Sequence, residues 1–509
     1  MSRALEDEES PQSGGNPSDR PEREQRPAGR LHRLLPLGIW VAVVGFVVIG
    51  IGWPLVGQGV FGPTDVLVKW SPYSDTVLAG VVPKNPFLQD VADGVLPQTA
   101  LFVDLVLNGN GGWWNPFMVG GTPLGAVPNN AFFSPVNLPY FLLPVWLAPA
   151  WVKALEIVIS VGGTFLFARR LGLGRPAAFI GGLMFVTSSF MLSWTGWSQT
   201  KTAAFIPLLF WAIERLVQRR RVSDAVLVCV SVAAMLFGGF PAVTGYALIA
   251  GGVYFVVRVL AEYRAQWKRI TAMAVGGAAA IVGAVSLAAI QLLPFTYFMS
   301  HAFVFGREQT PADNIPYRAL ITAIAPWSLG TTYAGGVPQW AAGTHIVEAL
   351  SYVGAGALLL ALVGLAAVRT GRGMLPKGVW VFLVAAIGVC LVLIYAGGPP
   401  LAAVQQLPVL FSENFVGRAR SVLGFLLAVL AAVGFEVLLW RLRAAREKRA
   451  AGVAGRIWGP AVWVGAGVGM VGLFFAARQL ADTPARQENF DVQVLYGLGF
   501  VAVALACVE

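Results

Sequence analysis

The fold is constrained most by a series of apolar segments, each close to the length needed to cross a lipid bilayer. A transmembrane helix needs about 20 mostly apolar residues, because the hydrocarbon core is about 30 Å thick. About twelve such segments lie at residues 35–56, 149–168, 176–194, 202–217, 224–238, 242–260, 270–293, 347–367, 378–396, 418–440, 457–477 and 494–508. This pattern predicts an all-α polytopic membrane protein with about 11–12 transmembrane helices.

The composition agrees with a membrane protein and disfavours several other classes. Of 509 residues, 56% are hydrophobic and only 12% are charged, whereas soluble domains carry about 25% charged residues. The net charge of +10 does not predict nucleic-acid binding, because the basic residues form short clusters between apolar segments. Cys229, Cys390 and Cys507 all lie inside apolar segments, so neither a disulfide framework nor a zinc site is expected.

The N-terminal region differs from the rest of the chain. Residues 1–33 are polar and rich in Pro, Ser and Gly, which predicts a disordered tail. A signal peptide is not expected, because the first apolar run begins only near residue 34. Residues 34–509 form the predicted transmembrane domain. Its last apolar run has no basic residues after it, so we expect the natural protein to continue beyond residue 509.

The basic clusters predict an orientation in the membrane. They lie in every second connection, at residues 169–175, 219–221, 258–269, 369–377 and 441–449. Cytoplasmic connections are enriched in Lys and Arg, so we expect a cytoplasmic N-terminus. The high content of Ala, Gly, Val and Arg favours a bacterial source, and hence a bacterial plasma membrane. The two long connections, 57–148 and 294–346, are then external, and connections of this length usually have a function or a structure of their own.

The first external connection carries three carboxylates among aromatic residues and turn signals. Asp90, Asp93 and Asp104 could take a proton from a hydroxyl or hold a divalent cation, or could simply be solvated. Residues 97–108 are predicted to form an interfacial helix, and residues 137–147 an interfacial or re-entrant helix. Trp114 either anchors the connection at the lipid headgroups or stacks on a sugar ring.

These residues resemble a known family. Asn85-Pro86, Asp90, Pro97, Trp114-Asn115-Pro116, Gly121-Thr122-Pro123 and Ser134-Pro135, followed by GGFPAVTGY at 238–246 and SENFVGRAR at 412–420, resemble the YfhO-type family of bacterial membrane proteins. That family belongs with the type-C glycosyltransferases, which use polyprenyl-phosphate sugars. The resemblance covers most of residues 35–440. One position departs from it: the family has Gln four residues after the Asp, where this chain has Gly94, so Asp90 and Asp93 both remain candidates.

The resemblance implies a sugar transfer from a polyprenyl-phosphate donor to a cell-wall glycan or lipid acceptor outside the cytoplasm. Asp90 or Asp93 is then the catalytic base. A departing phosphate requires positive charge nearby, for which the external candidates are Arg307, Arg318, Arg418, Arg420 and Lys201. Trp114, Asn115 and Glu348 are candidates for binding substrate. No soluble cofactor is implied, and a divalent metal remains an alternative. Membrane lipids are expected partners and nucleic acid is not.

Other interpretations remain open. Arg418 and Arg420 could anchor the chain by reaching the interface. Lys153 and Glu156 share a helix face within a predicted span, where they form either a structural pair or a functional one. The chain could also be a transporter or flippase of a lipid-linked intermediate, although few charges lie in the middle of its spans. A non-enzymatic membrane scaffold is the third possibility.

Overall fold

A computed structural model describes most of the chain. The described residues are 48–76, 78–302, 314–332, 340–341, 345–367, 373–407, 414–450 and 474–506, with single positions at 45, 412 and 472. From residue 48 onward they belong to one compact unit. The predicted tail at 1–33, Arg307, and most of the predicted spans 35–56 and 457–477 lie outside the described residues.

Helices make up most of the described structure. In chain order they are α1 (Trp53–Leu55), α2 (Leu96–Leu107), α3 (Pro139–Leu142), α4 (Ala148–Arg170), α5 (Arg175–Val186), α6 (Ser189–Ser193), α7 (Ser198–Ala203), α8 (Ile206–Arg219), α9 (Val222–Phe237), α10 (Pro241–Tyr263), α11 (Trp267–Leu287), α12 (Ala289–His301), α13 (Ile346–Ala349), α14 (Ala355–Ala366), α15 (Val379–Leu391), α16 (Gly398–Gln405), α17 (Arg420–Ala450) and α18 (Pro484–Ala506). Two short antiparallel strands, β1 (Trp114–Asn115) and β2 (Thr122–Pro123), pair in the first long connection.

Five helical stretches are long and apolar enough to cross a membrane, and they confirm the predicted all-α membrane protein. They are Ala148–Arg170, Pro241–Tyr263, Trp267–Leu287, Val379–Ala396 and Val416–Ala445. Three further apolar helices, α5, α9 and α14, are shorter. The count of 11–12 spans stays a prediction, because two of the predicted spans fall largely outside the described residues.

Some predicted spans are shorter in the structure because the backbone interrupts them. The segment 347–367 divides into α13 and α14, with Gly354 between them at a φ of +98°. That left-handed backbone cannot continue a right-handed helix, and glycine adopts it without steric cost. The segment 176–194 likewise divides into α5 and α6.

The bundle is centred on α17, which packs closely against α14 and α5. A methyl group added at Gly364 would lie 2.6 Å from the Leu430 carbonyl oxygen, and one at Gly434 would overlap the Leu360 carbonyl oxygen. A methyl group at Gly181 would lie 2.9 Å from the Ala432 side chain. Small residues therefore let these backbones approach one another, as is common between membrane helices.

A buried ion pair joins α8 to α10. The Arg258 guanidinium donates from Nε to Glu214 Oε2 at 2.9 Å and from Nη2 to Oε1 at 2.9 Å. The Tyr254 hydroxyl donates to Glu214 Oε2 at 2.6 Å, and Arg258 Nη1 donates to the Lys377 carbonyl at 2.7 Å. Arg258, counted above within a basic connection, is therefore a buried structural residue.

The first long connection, 57–148, packs onto the junction between α9 and α10. Its helix α2 matches the predicted helix at 97–108, with Phe102 buried and Asp104 exposed. At the junction, Gly239 has a φ of +81° and faces the Pro128 carbonyl so closely that a methyl group there would overlap it. The glycines of the GGFP sequence thus allow the connection to lie directly on the bundle.

Candidate functional site

The two carboxylates lie on an irregular segment that leads into α2. A 3₁₀ turn at Pro86–Leu88 is followed by a π-helical turn at Val91–Val95. Val91 and Val95 are buried, so this side of the segment packs against the protein. π-helical turns are rare and occur frequently at functional sites.

The other side of this segment carries Asp90 and Asp93, which are both exposed. The Gln89 amide nitrogen donates to Asp93 Oδ2 at 3.2 Å, and the Lys69 ammonium donates to Gln89 Oε1 at 3.3 Å. Asp93 is thus held by two successive hydrogen bonds that lead from Lys69 through Gln89. No side-chain hydrogen bond to Asp90 occurs among the described residues. Of the two carboxylates, Asp90 is therefore the one whose oxygens are open to a ligand in the cavity.

Both carboxylates open into one cavity of about 840 Å³, called here the polar cavity. It lies between the 86–98 segment, the α6–α7 region, and the chain around α13 and the start of α17. The polar and charged side chains around it are Gln89, Asp90, Asp93, Gln98, Asn129, Asn130, Ser198, Gln199, His345, Glu348 and Arg418. The structure therefore places four predicted site residues, Asp90, Asp93, Glu348 and Arg418, around the same space.

Arg418 is held in this cavity by two neighbours. Its Nη2 lies 3.0 Å from Glu348 Oε1, and its Cζ lies 5.0 Å from the centre of the Phe240 ring. Both side chains of the ion pair retain some exposure, 25% for Arg418 and 17% for Glu348. Glu348 Oε2 is buried and has no hydrogen-bond partner among the described residues. The pair thus fixes Arg418 and leaves one carboxylate oxygen able to accept a hydrogen bond.

His345 also lines the polar cavity, although the sequence offered little reason to choose it. Its Nδ1 accepts a hydrogen bond from the Val347 N–H at 3.3 Å, which places the proton of the neutral ring on Nε2. Burial lowers the pKa of His345, and the nearby carboxylates of Glu348 and Asp90 oppose that effect. The sequence feature that could have identified His345 is its position three residues before Glu348, because His345 caps α13 and Glu348 lies on it.

The structure gives Arg420 a different role from Arg418. Arg420 is only 4% exposed. Its guanidinium donates to the Gly417 carbonyl at 3.0 Å, to the Val347 carbonyl at 3.1 Å and to the Leu350 carbonyl. Because backbone carbonyls take up its donors and it does not line the cavity, Arg420 joins α17 to the chain around α13. The prediction that it binds phosphate is not supported by its position.

Three other predicted site residues lie away from the polar cavity. Arg318 lies 3.6 Å from Asp482. Trp114 packs on Gly121 within the β1–β2 hairpin, and the buried Asn115 accepts a hydrogen bond from the Phe117 N–H at 2.9 Å. The tryptophan and asparagine of the WNP sequence therefore shape the hairpin.

The alternative of a divalent metal finds no ligand set in the described part of the chain. No group of three or more His, Cys, Asp or Glu side chains there could hold a metal ion. Around the polar cavity, Glu348 is instead paired with Arg418.

A second cavity of about 1170 Å³ lies on the opposite side of the 86–98 segment; it is called here the lysine cavity. Leu88, Val91 and Leu96 contribute to its wall. Lys153, Glu156 and Lys201 also line it, so Lys201, predicted as a phosphate ligand, lies here and not beside Arg418. The 86–98 segment thus separates a polar cavity from a largely apolar one.

No protein-family model matches this chain, and no curated protein sequence matches it either.

Proposed function

We propose that this chain is a membrane glycosyltransferase that moves a sugar from a polyprenyl-phosphate donor to a cell-envelope acceptor. The observation that carries the proposal is the meeting of Asp90 and Arg418 around one polar cavity. One is an exposed carboxylate without a side-chain partner among the described residues, and the other is a partly exposed guanidinium. A base and a cation in the same cavity are what a sugar transfer with a phosphate leaving group requires.

In the proposed reaction the acceptor hydroxyl oxygen attacks the anomeric carbon of the donor sugar. Asp90 takes the hydroxyl proton, the new glycosidic bond forms, and the bond from the anomeric carbon to the phosphate oxygen breaks. The electron pair of that bond goes to the phosphate, whose growing negative charge Arg418 stabilises. Glu348 orients Arg418 through their ion pair.

The sequence resemblance and the basic clusters support the cellular setting of the proposal. The polar cavity is built largely from the connection that the positive-inside rule places outside the cytoplasm. The proposed location is accordingly a bacterial plasma membrane, with the N-terminus in the cytoplasm and the cavity facing outward. A Cys introduced for Asp90 in a variant without native cysteines should react with a membrane-impermeant maleimide in intact cells.

A transfer assay with matched variants tests the activity. Full-length protein in lipid nanodiscs is incubated with a panel of polyprenyl-phosphate sugars and envelope extract, and the release of polyprenyl phosphate is measured. Asp90→Asn should lower the rate about 10²–10⁴-fold, the usual contribution of a general base. Asp104→Asn is the control, because Asp104 is an exposed carboxylate of the same connection that does not line the polar cavity. Equal rates for both variants would exclude Asp90 as the base.

A transporter or flippase of a lipid-linked intermediate is the second candidate. Buried ionisable groups within a membrane bundle are typical of transport pathways, and Lys153, Glu156 and Lys201 are all buried beside the lysine cavity. Such a protein would move the intact lipid without releasing polyprenyl phosphate. The same nanodisc assay separates the two, because only a transferase cleaves the donor.

A further inference from the structure

The lysine cavity combines apolar walls with charges that are not balanced. Its wall includes Leu88, Val91, Leu96, Val152 and Leu192. Lys153, Glu156 and Lys201 lie in this wall with 6%, 1% and 2% of their surface exposed. Two ammonium groups and one carboxylate leave one uncompensated positive charge among these buried groups.

Glu156 is already engaged by groups other than Lys201. The Lys153 ammonium lies 3.1 Å from Glu156 Oε2 and also donates to the Met191 carbonyl at 2.8 Å. The Thr200 hydroxyl donates to Glu156 Oε1 at 3.2 Å. Each carboxylate oxygen therefore has a partner, and Lys153 is fixed between α4 and α6.

Lys201 is the group left without a partner. It lies on the short, fully buried helix α7, and within the described residues no hydrogen bond or ion pair to its ammonium is found. Burial lowers the pKa of Lys201 to about 8, and the carboxylate of Glu156 opposes that effect. An ammonium group away from water is costly unless it is paired and hydrogen-bonded, so an anion entering the cavity would relieve this cost.

We propose that the lysine cavity binds a phosphate ester headgroup, which accepts hydrogen bonds from Lys201 while the apolar wall covers the adjoining hydrocarbon. The cavity exceeds the volume of about 300–1,000 Å³ typical of small-molecule sites, which leaves room for a headgroup and the first part of a chain. This site is separate from the polar cavity and does not rest on the proposed sugar transfer. A lipid is the source that the apolar wall favours, and free phosphate shares the same headgroup chemistry.

Binding measurements distinguish these sources. Full-length protein in a zwitterionic detergent is titrated with dioleoyl phosphatidic acid, with dioleoyl phosphatidylcholine and with inorganic phosphate. We expect phosphatidic acid to bind at least tenfold more tightly than phosphatidylcholine, and Lys201→Met to abolish that preference. If inorganic phosphate binds tightly to wild type and not to Lys201→Met, the anion site is supported and its ligand is a soluble phosphate. Equal affinity of wild type and Lys201→Met for phosphatidic acid and for phosphate would overturn the proposal.

A matched control and a second measurement guard against a folding defect. Lys268 is exposed and lines neither cavity, so Lys268→Met should leave the preference unchanged. In the wild-type protein, reductive methylation followed by mass spectrometry reports the access of each lysine to the reagent. Phosphatidic acid should slow the labelling of Lys201 at least threefold and leave that of Lys268 unchanged. Labelling of Lys201 at the same rate with and without the lipid would contradict the proposal independently of any variant.

Discussion

Replacing Lys201 by Met removes a buried positive charge and retains most of the side-chain length. The pKa of Lys201 falls from its ordinary value of 10.5 to about 8 on folding. Each pKa unit corresponds to about 1.4 kcal/mol, so the buried charge costs about 3 kcal/mol of stability. The variant leaves no new charge unpaired, because Glu156 keeps Lys153 and Thr200 as partners. We therefore expect Lys201→Met to be more stable than wild type by about 3 kcal/mol at pH 7.

The effect has a defined pH dependence. Because the folded-state pKa lies below the unfolded-state value, the unfolded chain binds more protons between these two values, and stability rises with pH there. The cost is fully present below pH 8 and is relieved as the pH rises from about 8 to 10.5. The difference in stability between variant and wild type should accordingly shrink over that range.

Equilibrium unfolding in a zwitterionic detergent, free of anionic lipid, measures this difference. Lys268→Met is again the control, since replacing an exposed lysine usually changes stability by less than about 0.5 kcal/mol. Phosphatidic acid should stabilise wild type and so reduce its disadvantage relative to Lys201→Met. If Lys201→Met is less stable than wild type at pH 7, or if its advantage does not change up to pH 10, the argument from an uncompensated charge is wrong.

Three further predictions concern packing, the two arginines and pH. Gly434→Ala should lower stability by about 1–3 kcal/mol, because overpacking has this cost. Gly388→Ala should be neutral or slightly stabilising, since open space surrounds that position. Thermal unfolding of the two variants tests the difference. Arg420→Met should sharply reduce the yield of folded protein by removing the side-chain donor to the Val347 and Leu350 carbonyls. Arg418→Met should fold and lose donor cleavage, as size-exclusion chromatography and the nanodisc assay would show. His345→Gln should reduce the loss of stability on acidification below pH 6.5, because burial lowers the pKa of His345 and its protonation therefore opposes folding; unfolding at pH 5 and pH 7 tests this.

Proline position and hydropathy in the sequence predicted the positions of individual helices well. Pro97 at the start of an apolar run placed a helix at 97–108, and the structure has it at Leu96–Leu107. Proline is favoured in the first turn of a helix, where its missing N–H is not needed. Hydropathy also located most of the long helices, because a bilayer imposes both length and apolarity. It could not locate the break at Gly354, since hydropathy does not report backbone φ.

The candidate site was predicted less completely, because it depends on side-chain direction and on distant contacts. Arg418 and Arg420 are two residues apart, and residues at that spacing on a helical backbone do not face the same way. One therefore reaches the polar cavity while the other donates to the carbonyls of Val347 and Leu350. The sequence showed two equivalent arginines, and only the packing of α13 against the start of α17 separates them.

Side-chain direction also bears on Gly94, where the chain departs from the pattern of the family that its sequence resembles. A side chain added at Gly94 would meet nothing within 4 Å, so steric crowding does not explain the missing glutamine. Gln98 lies four residues later, a spacing that places both positions on one face of a helix, and both line the polar cavity. Its Oε1 accepts a hydrogen bond from the Asn130 side chain at 2.6 Å, which fixes an amide beside the same space. Under the proposed function, Gln98 would supply that group one turn further on, and Gly94 then gives no reason to prefer Asp93 to Asp90 as the proposed base.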